Sequence, residues 1–210
     1  AQALNRKALI QMRTGDLKAA VKSSTSALKT SQQSKQKNLI ALSLYRLSEA
    51  QFRTGQYETA VETALKAISL FQELDDHSGA GRAYWIASIS SHRLNRSEDS
   101  RVLAQTGLEL CRQAGDQYGI GNALISLSNT NTDMALTLQH VQLAKQAFET
   151  AGYSERRLVA LGNLGLGYFE LGLYSRGLQL QNEIIDLSRG MGARVLLTYA
   201  VGNALGPELL

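Results

Sequence analysis

Three arginines recur at intervals of 40 residues, as Arg13, Arg53 and Arg93. If each lies at the same phase of a helical repeat, neighbouring guanidinium groups stand about 8–10 Å apart, the usual distance between packed helices. This separation is about one Debye length, so their electric fields would add. Because a guanidinium can bind a carboxylate through two hydrogen bonds, the pattern favours recognition of a carboxylate or of an acidic segment.

Aromatic and imidazole side chains accompany this arginine series, and His92 falls at the same repeat phase as Phe52. Large aromatic residues are the anchors that often dominate the binding energy of an interface. We therefore predict a partner-binding surface that combines apolar anchors with arginines selective for acidic character. Its candidate residues are Arg13, Tyr45, Phe52, Arg53, Trp85, His92 and Arg93.

A plainer interpretation of two of these arginines stays open. Glu49 lies four residues before Arg53, a spacing at which side chains of one helix form a surface ion pair. Arg13 can likewise meet Asp16 across a short turn. Exposed pairs of this kind contribute less than about 1 kcal/mol and imply no binding function.

No constellation of catalytic or metal-binding residues accompanies the arginines. The three histidines fall at different repeat phases, and none has a cysteine or carboxylate at metal-ligand spacing. The single cysteine, Cys111, takes the phase that Phe71 and Phe148 take in other repeats, so we expect it to be a buried small hydrophobe. We therefore expect no enzyme activity, no metal site and no cofactor.

Gly162, Gly165 and Gly167 resemble a phosphate-binding loop only in their spacing. A dinucleotide-binding loop follows a strand and opens a helix, whereas these glycines lie inside a helical pattern. We expect them instead to allow close packing between helices.

The elements that must position these residues recur with the same period. GDLKAA at 15–20, GQYETA at 55–60 and NRSEDS at 95–100 each mark a turn followed by the start of a helix. Turn residues at one fixed phase, with apolar residues between them, indicate a solenoid of helix-turn-helix units. The single proline is Pro207, so almost the whole chain is free to be helical, and we predict an all-α fold.

Apolar spacing divides the chain into about five helix pairs and one half repeat. The predicted boundaries are 1–36, 37–76, 77–116, 117–153, 154–192 and 193–210. Repeat four is three residues shorter; we place the loss in the polar stretch 129–133, which should form the turn, with Thr132 or Asp133 capping the next helix. The half repeat, a helix from Val195 to Leu205, leaves an apolar face through which the protein can self-associate. We expect a single domain that is part of a longer protein.

These repeats resemble tetratricopeptide repeats. Repeat two carries the family pattern at Leu44, Leu47, Ser48, Gly55, Tyr57, Ala60 and Ala67. The 40-residue period is similar to that of the variant found in large bacterial signalling proteins and in scaffold proteins. The resemblance implies a right-handed superhelical α-solenoid whose concave wall is lined by the first helix of each pair. It does not extend to the peptide-carboxylate clamp of some relatives, because Asn5, Leu9 and Arg46 occupy the clamp positions.

Composition narrows the classes of partner. A net charge of +4 is a mild bias, not the clustered basic footprint of a nucleic-acid binder. No apolar run approaches the roughly 20 residues that span a bilayer, and no signal-peptide pattern is present. We therefore expect a cytoplasmic protein that binds neither nucleic acid nor membranes.

The sequence predicts a non-catalytic protein–protein interaction module of the scaffold or signalling type. Its partner would be a peptide or helical segment, of acidic character, bound in the concave groove. A second hypothesis is a ligand- or peptide-responsive sensor segment of a larger bacterial transcription regulator or nucleotide cyclase. It stays open because each repeat contacts only its neighbours, so that a small rotation per repeat accumulates along the array.

Overall fold

A computed structural model describes residues 1–190 of the chain. Within this range the chain forms ten helices and no strand. The helices are α1 Gln2–Arg13, α2 Leu17–Ser34, α3 Lys37–Arg53, α4 Tyr57–Glu73, α5 His77–Arg93, α6 Ser97–Gln113, α7 Gln117–Ser128, α8 Met134–Thr150, α9 Ser154–Glu170 and α10 Tyr174–Gly190. Within the units, α1 packs with α2, α3 with α4, α5 with α6 and α9 with α10 as helix-turn-helix pairs, and the prediction of an all-α solenoid of helical repeats is confirmed. The predicted half repeat 193–210, and with it the helix proposed for self-association, lies outside the described residues.

The helices fall into two compact units. Unit 1 is Ala1–Thr130 and holds α1 to α7, and unit 2 is Asn131–Leu210, with α8 to α10 as its described helices. Within unit 1 the first helices of successive pairs contact each other, α1 with α3, α3 with α5 and α5 with α7. We call the surface that these four helices share the first-helix face. The expectation of a single domain stays a prediction.

Residues in the left-handed backbone conformation end the first helix of three pairs at the predicted phase. Gly15 and Gly55 have φ angles of 84° and 79°, and Asn95 has a φ of 60°. Glycine adopts this conformation without a side-chain clash, and asparagine is one of the few other residues that tolerate it. The turns inferred from the 40-residue period therefore reverse the chain where expected.

The fourth repeat has the predicted polar connection, but the residues that it lacks are missing from its first helix. Residues 129–133 connect α7 to α8, and the Asp133 carboxylate caps α8 by accepting a 2.8 Å hydrogen bond from the Ala135 N–H. This turn is longer than the connection 54–56 between α3 and α4. The shortening is in the helix, because α7 has 12 residues whereas α3 and α5 have 17 each.

Small side chains bring the helices of unit 1 close together. Ala41, Ala64 and Ala83 are fully buried in the core between α3, α4 and α5. The larger Phe71 and Ile86 fill the remaining space. Such a mixture gives native packing density at short interhelical distances.

Helices α5, α6 and α7 meet around Cys111. A Cβ atom added at Gly81 on α5 or at Gly119 on α7 would collide with the Cys111 sulfur. The thiol is fully buried, and burial together with the charge of Asp116 raises its pKa to about 12. Since the thiolate is the reactive form, Cys111 is an inert core residue, as its repeat phase predicts.

Close packing accounts for one of the three glycines singled out in α9. A Cβ atom at Gly167 would lie 2.7 Å from Leu138 Cδ2, so no larger residue fits there without displacement. At Gly165 the nearest atoms would be at an ordinary contact distance of 3.8 Å, and Gly162 faces open space. The predicted packing role is confirmed for Gly167 and is wrong for Gly162.

A candidate partner-binding face in unit 1

The three arginines spaced by 40 residues lie at equivalent places in three neighbouring first helices. Arg13, Arg53 and Arg93 are the last residues of α1, α3 and α5, and all three are exposed. The partial negative charge at a helix C-terminus favours a cation there. The sequence period therefore places one guanidinium at the C-terminal end of each of three neighbouring first helices.

Arg53 shares a buried carboxylate with a second arginine of α3. Its Nη2 lies 3.0 Å from Glu49 Oε1, and Arg46 Nη1 lies 3.0 Å from Glu49 Oε2. Only 2% of the Glu49 side chain is exposed, against 18% of Arg46 and 35% of Arg53. The plainer interpretation of Arg53 is confirmed as a contact, but the pair is not a surface pair. One buried carboxylate holds two guanidinium groups that stay partly in solvent, which leaves a net positive charge.

Arg13 and Arg93 make no ion pair with any residue in the range 1–190. The expected contact between Arg13 and Asp16 does not form. Asp16 caps α2 instead, and its Oδ1 accepts a 3.2 Å hydrogen bond from the Ala19 N–H. Both guanidinium groups are exposed, so they are available to an anionic partner.

The aromatic residues of the predicted set divide into two groups. Tyr45 and Trp85 are buried, with 3% and 2% exposure, and Trp85 meets Tyr118 edge to face with ring centroids 6.4 Å apart. Phe52 and His92 are partly exposed. Tyr45 and Trp85 thus lie in the packing beneath the first-helix face, whereas Phe52 and His92 have surface that a partner can contact. The role of all four in binding stays a prediction.

Burial and neighbouring charges set the ionisation of two of these residues. Burial, reinforced by the charge of Glu49, raises the pKa of Tyr45, so its phenol stays protonated. Burial, reinforced by the charge of Arg93, lowers the pKa of His92, so its imidazole is neutral at pH 7. His92 therefore adds no positive charge to the face near neutral pH.

A second arginine–carboxylate cluster joins α5 to α7, and the sequence analysis missed it. Arg82 Nε lies 2.5 Å from Asp116 Oδ2 and Arg82 Nη2 lies 2.8 Å from Asp116 Oδ1, while the Ser78 hydroxyl donates to Asp116 Oδ2 at 2.9 Å. The Arg82 guanidinium also lies 5.2 Å from the centroid of the Tyr118 ring. Arg82 and Asp116 fall at different repeat phases, so the 40-residue period does not predict that they form an ion pair. The sequence indicated only that Asp116 precedes a helix and could cap it.

A shallow cleft of about 170 Å³ opens on the first-helix face between α1 and α3. Its lining residues are Gln2, Asn5, Arg6, Leu9, Leu42 and Arg46. Asn5 is 3% exposed; its amide nitrogen donates a 3.0 Å hydrogen bond to the Ser43 hydroxyl, and its Oδ1 is buried without a hydrogen-bond partner. The lining of the cleft therefore combines cationic and apolar groups, and the Asn5 Oδ1 atom is buried beneath it.

Residues 1–190 contain no group of three or more histidine, cysteine, aspartate or glutamate side chains that could hold a metal ion. Over the same range no helix is both long enough and apolar enough to cross a bilayer.

Comparison with known proteins shows a sequence similarity to tetratricopeptide repeats in the first third of the chain and a similar fold over most of it. A model of the tetratricopeptide repeat family matches residues 1–73. No curated protein matches the sequence. The similar solved structures include tetratricopeptide-like repeat proteins. The resemblance inferred from the repeat pattern is therefore confirmed.

Three solved structures illustrate the likeness. A Rap protein complexed with competence and sporulation factor is 14% identical, with a TM-score of 0.85 over 94% of this chain and 56% of the Rap chain. The apo form of RapI is 15% identical, with a TM-score of 0.71 over 91% of this chain and 71% of that one. A signal transduction ATPase from Pyrococcus horikoshii with a tetratricopeptide repeat sensor is 18% identical, with a TM-score of 0.70 over 96% of this chain and 31% of that one. This chain thus spans about half the length of the Rap protein, and at these identities the likeness concerns the fold.

Proposed function

We propose that this chain is a non-catalytic protein-interaction module that binds an acidic peptide or helical segment on its first-helix face. The observation that carries the proposal is the position of Arg13, Arg53 and Arg93 at the ends of three neighbouring first helices. Tetratricopeptide-like folds are typical of protein–protein interaction modules. The similar Rap protein was solved with a bound factor, which supports a peptide as the class of partner.

Charge complementarity argues for acidic character. The carboxylate on α3 is shared by two arginines, and Arg13 and Arg93 have no ion pair within residues 1–190. Partly exposed Phe52 and His92 precede two of these arginines and add apolar contact area. A segment with acidic and apolar side chains on one side would match both features.

Charge reversal at Arg13 and Arg93 tests this proposal. The double variant Arg13→Glu/Arg93→Glu should weaken binding of a fluorescein-labelled peptide rich in glutamate and leucine by at least about tenfold, because like charges then face each other. Fluorescence anisotropy measures the Kd, and far-UV circular dichroism checks helicity. Neither arginine has an ion pair within residues 1–190, so the fold should be kept, although each glutamate at a helix C-terminus should lower the free energy of unfolding by about 0.3–1 kcal/mol.

The matched control carries the same change of net charge on second helices. Lys66 on α4 and Arg112 on α6 are exposed and have no ion pair within residues 1–190. Lys66→Glu/Arg112→Glu should leave the Kd within about twofold at physiological salt, since charges beyond a Debye length are screened. Equal weakening in both variants would mean that only net charge matters, and an unchanged Kd in both would contradict the proposal.

A sensor role within a larger regulator is a second candidate. It is supported by the signal transduction ATPase, in which a similar fold is a repeat sensor and of which this chain covers 31%. Sequencing the gene on both sides of the segment for residues 1–210 separates the two roles. An attached ATPase, kinase, cyclase or DNA-binding domain would favour the sensor, whereas a bare repeat array would contradict it.

A further inference from the structure

The exposed side of α2 carries a stripe of lysines. Lys18, Lys22 and Lys29 are all exposed, and Lys22 and Lys29 follow Lys18 by about one and three helical turns, so the three side chains point the same way. The stripe is about 16 Å long at the rise of an α-helix. Helix α2 contains no acidic residue, and none of these lysines makes an ion pair within residues 1–190. The outer side of α2 is therefore purely cationic.

The equivalent stripe on α4 is acidic. Glu58 and Glu62 occupy the positions 40 residues after Lys18 and Lys22. Both glutamates are exposed and have no ion pair within residues 1–190. Leu65 lies about one turn further along this stripe and is 46% exposed. The second helices of the first two pairs thus present opposite charges at matching positions.

Burial shows that α2 and α4 have the same rotational phase in their pairs. Ala20 and Ala60 are both fully buried, and so are Ala27 and Ala67. Both helices also pack against α3. Because equivalent positions point into the core, the exposed stripes at the other positions belong to one outer surface. We call the surface that α2 and α4 expose the second-helix face.

A surface with both charges is complementary to a rotated copy of itself. A two-fold axis that runs parallel to the helices, between α2 and α4, places α2 of one copy opposite α4 of the other and keeps the helices parallel. Residues 40 apart in sequence then face each other at the same height. Lys18 faces Glu58 of the second copy, and Lys22 faces Glu62 of the second copy. Each contact occurs twice, because the contacts of a two-fold interface are reciprocal.

The other positions of the two stripes are compatible with this pairing. Lys66 is the one cation of α4, and it would face the uncharged Ser26. Leu65 would face Thr25 and add apolar contact area. A two-fold axis perpendicular to the helices would instead place α2 on α2, where lysines meet lysines. Charge therefore selects the parallel arrangement of α2 against α4.

We propose that a second copy of this chain binds to the second-helix face and forms a weak two-fold dimer. An anionic membrane or nucleic acid would meet the glutamates of α4 beside the lysines of α2, whereas a second copy offers the opposite charge to both. None of these residues belongs to a first helix. The dimer is thus independent of the proposed function and leaves the first-helix face free.

Sedimentation equilibrium of the full chain tests the dimer. The chain should associate with a Kd on the order of 10–100 µM at about 50 mM salt, because exposed ion pairs contribute little each. The Kd should rise at least about tenfold at about 500 mM salt, because the Debye length then falls below about 5 Å. A strict monomer at protein concentrations up to about 500 µM in the lower salt would overturn the proposal.

Two charge reversals test the pairing itself. Lys22→Glu and Glu62→Lys should each weaken self-association at least about tenfold, because like charges then face each other in both copies of the contact. An equimolar mixture of the two variants should associate with a Kd within about threefold of the wild type. In that mixture the two introduced residues face each other, and the two native residues do the same. A mixture that associates no better than the single variants would overturn the proposal.

Lys7→Glu on α1 is the matched control. Lys7 is exposed and has no ion pair within residues 1–190, and its reversal changes the net charge as much as Lys22→Glu does. Since it lies outside the second-helix face, its Kd for self-association should stay within about twofold of the wild type. Circular dichroism checks that every variant keeps its helicity. Association that persists unchanged in both Lys22→Glu and Glu62→Lys would place the contact elsewhere, for instance at residues 195–205, and would overturn the proposal.

Discussion

Replacing Asp116 with alanine is expected to lower the free energy of unfolding by about 3 kcal/mol. The carboxylate binds Arg82 through two contacts, accepts a hydrogen bond from Ser78 and caps α7 at the Gly119 N–H. Removing one partner of a buried ion pair costs about 3–5 kcal/mol. Because the Arg82 side chain is 31% exposed, water compensates part of this loss, so we assign about 2 kcal/mol to the pair and about 1 kcal/mol to the cap. Urea unfolding followed by circular dichroism measures the change.

Asp76 provides a matched control for the cap. It is exposed and caps α5 in the same way, with its Oδ1 accepting a 2.8 Å hydrogen bond from the Gly79 N–H, but no arginine binds it within residues 1–190. Asp76→Ala should therefore lower the free energy of unfolding by only about 1 kcal/mol. Equal losses in the two variants would show that Arg82 adds nothing to the stability that Asp116 provides.

The contribution of Asp116 should also disappear in acid. Burial opposes its ionisation, but the hydrogen bond and charge of Arg82, helped by Gly119 and Ser78, outweigh burial and lower the pKa of Asp116. Its stabilising effect is therefore complete above the unfolded-state pKa of about 3.9 and declines as pH falls through the lower folded-state pKa. The gap in unfolding free energy between the wild type and Asp116→Ala should narrow below about pH 4. A gap that stays constant down to pH 2 would contradict this assignment.

Gly81→Ala is expected to destabilise the protein by about 1–2 kcal/mol. The new Cβ would lie 2.9 Å from the Gly107 carbonyl oxygen and 3.2 Å from the Cys111 backbone nitrogen, in addition to its collision with the Cys111 sulfur. Backbone atoms cannot rotate away, so α5 and α6 must separate. Overpacking of this kind costs about 1–3 kcal/mol, and the better helix propensity of alanine returns up to about 1 kcal/mol. Thermal unfolding monitored at 222 nm, a wavelength that reports helix content, measures the effect.

Gly162→Ala is the control with the opposite expected sign. Gly162 also lies inside a helix, but a Cβ atom there meets nothing within 4 Å. Only the better helix propensity of alanine acts at this position, so the free energy of unfolding should rise by about 0.5–1 kcal/mol. Stabilisation by both substitutions would show that the α5–α6 crossing can accommodate a methyl group and that its glycines are not required.

The sequence predicted the elements of this fold well because they depend on short-range patterns. The alternation of turn residues and apolar stretches predicted the helix pairs and the turns at Gly15, Gly55 and Asn95, which adopt the left-handed conformation. The polar stretch 129–133 and the cap at Asp133 were likewise predicted. The sequence did not predict where repeat four is shorter. The spacing between repeats shows how many residues are missing, but not whether a helix or a loop has lost them.

The candidate site was predictable only in part. Repeat phase placed Arg13, Arg53 and Arg93 on equivalent ends of neighbouring helices, and the structure agrees. Phase did not predict that Tyr45 and Trp85 are buried, because burial depends on which side chains from the next repeat cover a position.

Periodicity within the chain determined the class of fold, the pairing of helices and the position of the exposed arginines, since each follows from residues close in sequence. Tertiary structure alone decided which charges are neutralised. Glu49 is buried between two arginines, and Asp116 reaches back across a repeat to Arg82. A pair such as Arg82 and Asp116 forms because packing brings distant residues together and excludes water around them, and neither effect leaves a periodic trace in the sequence.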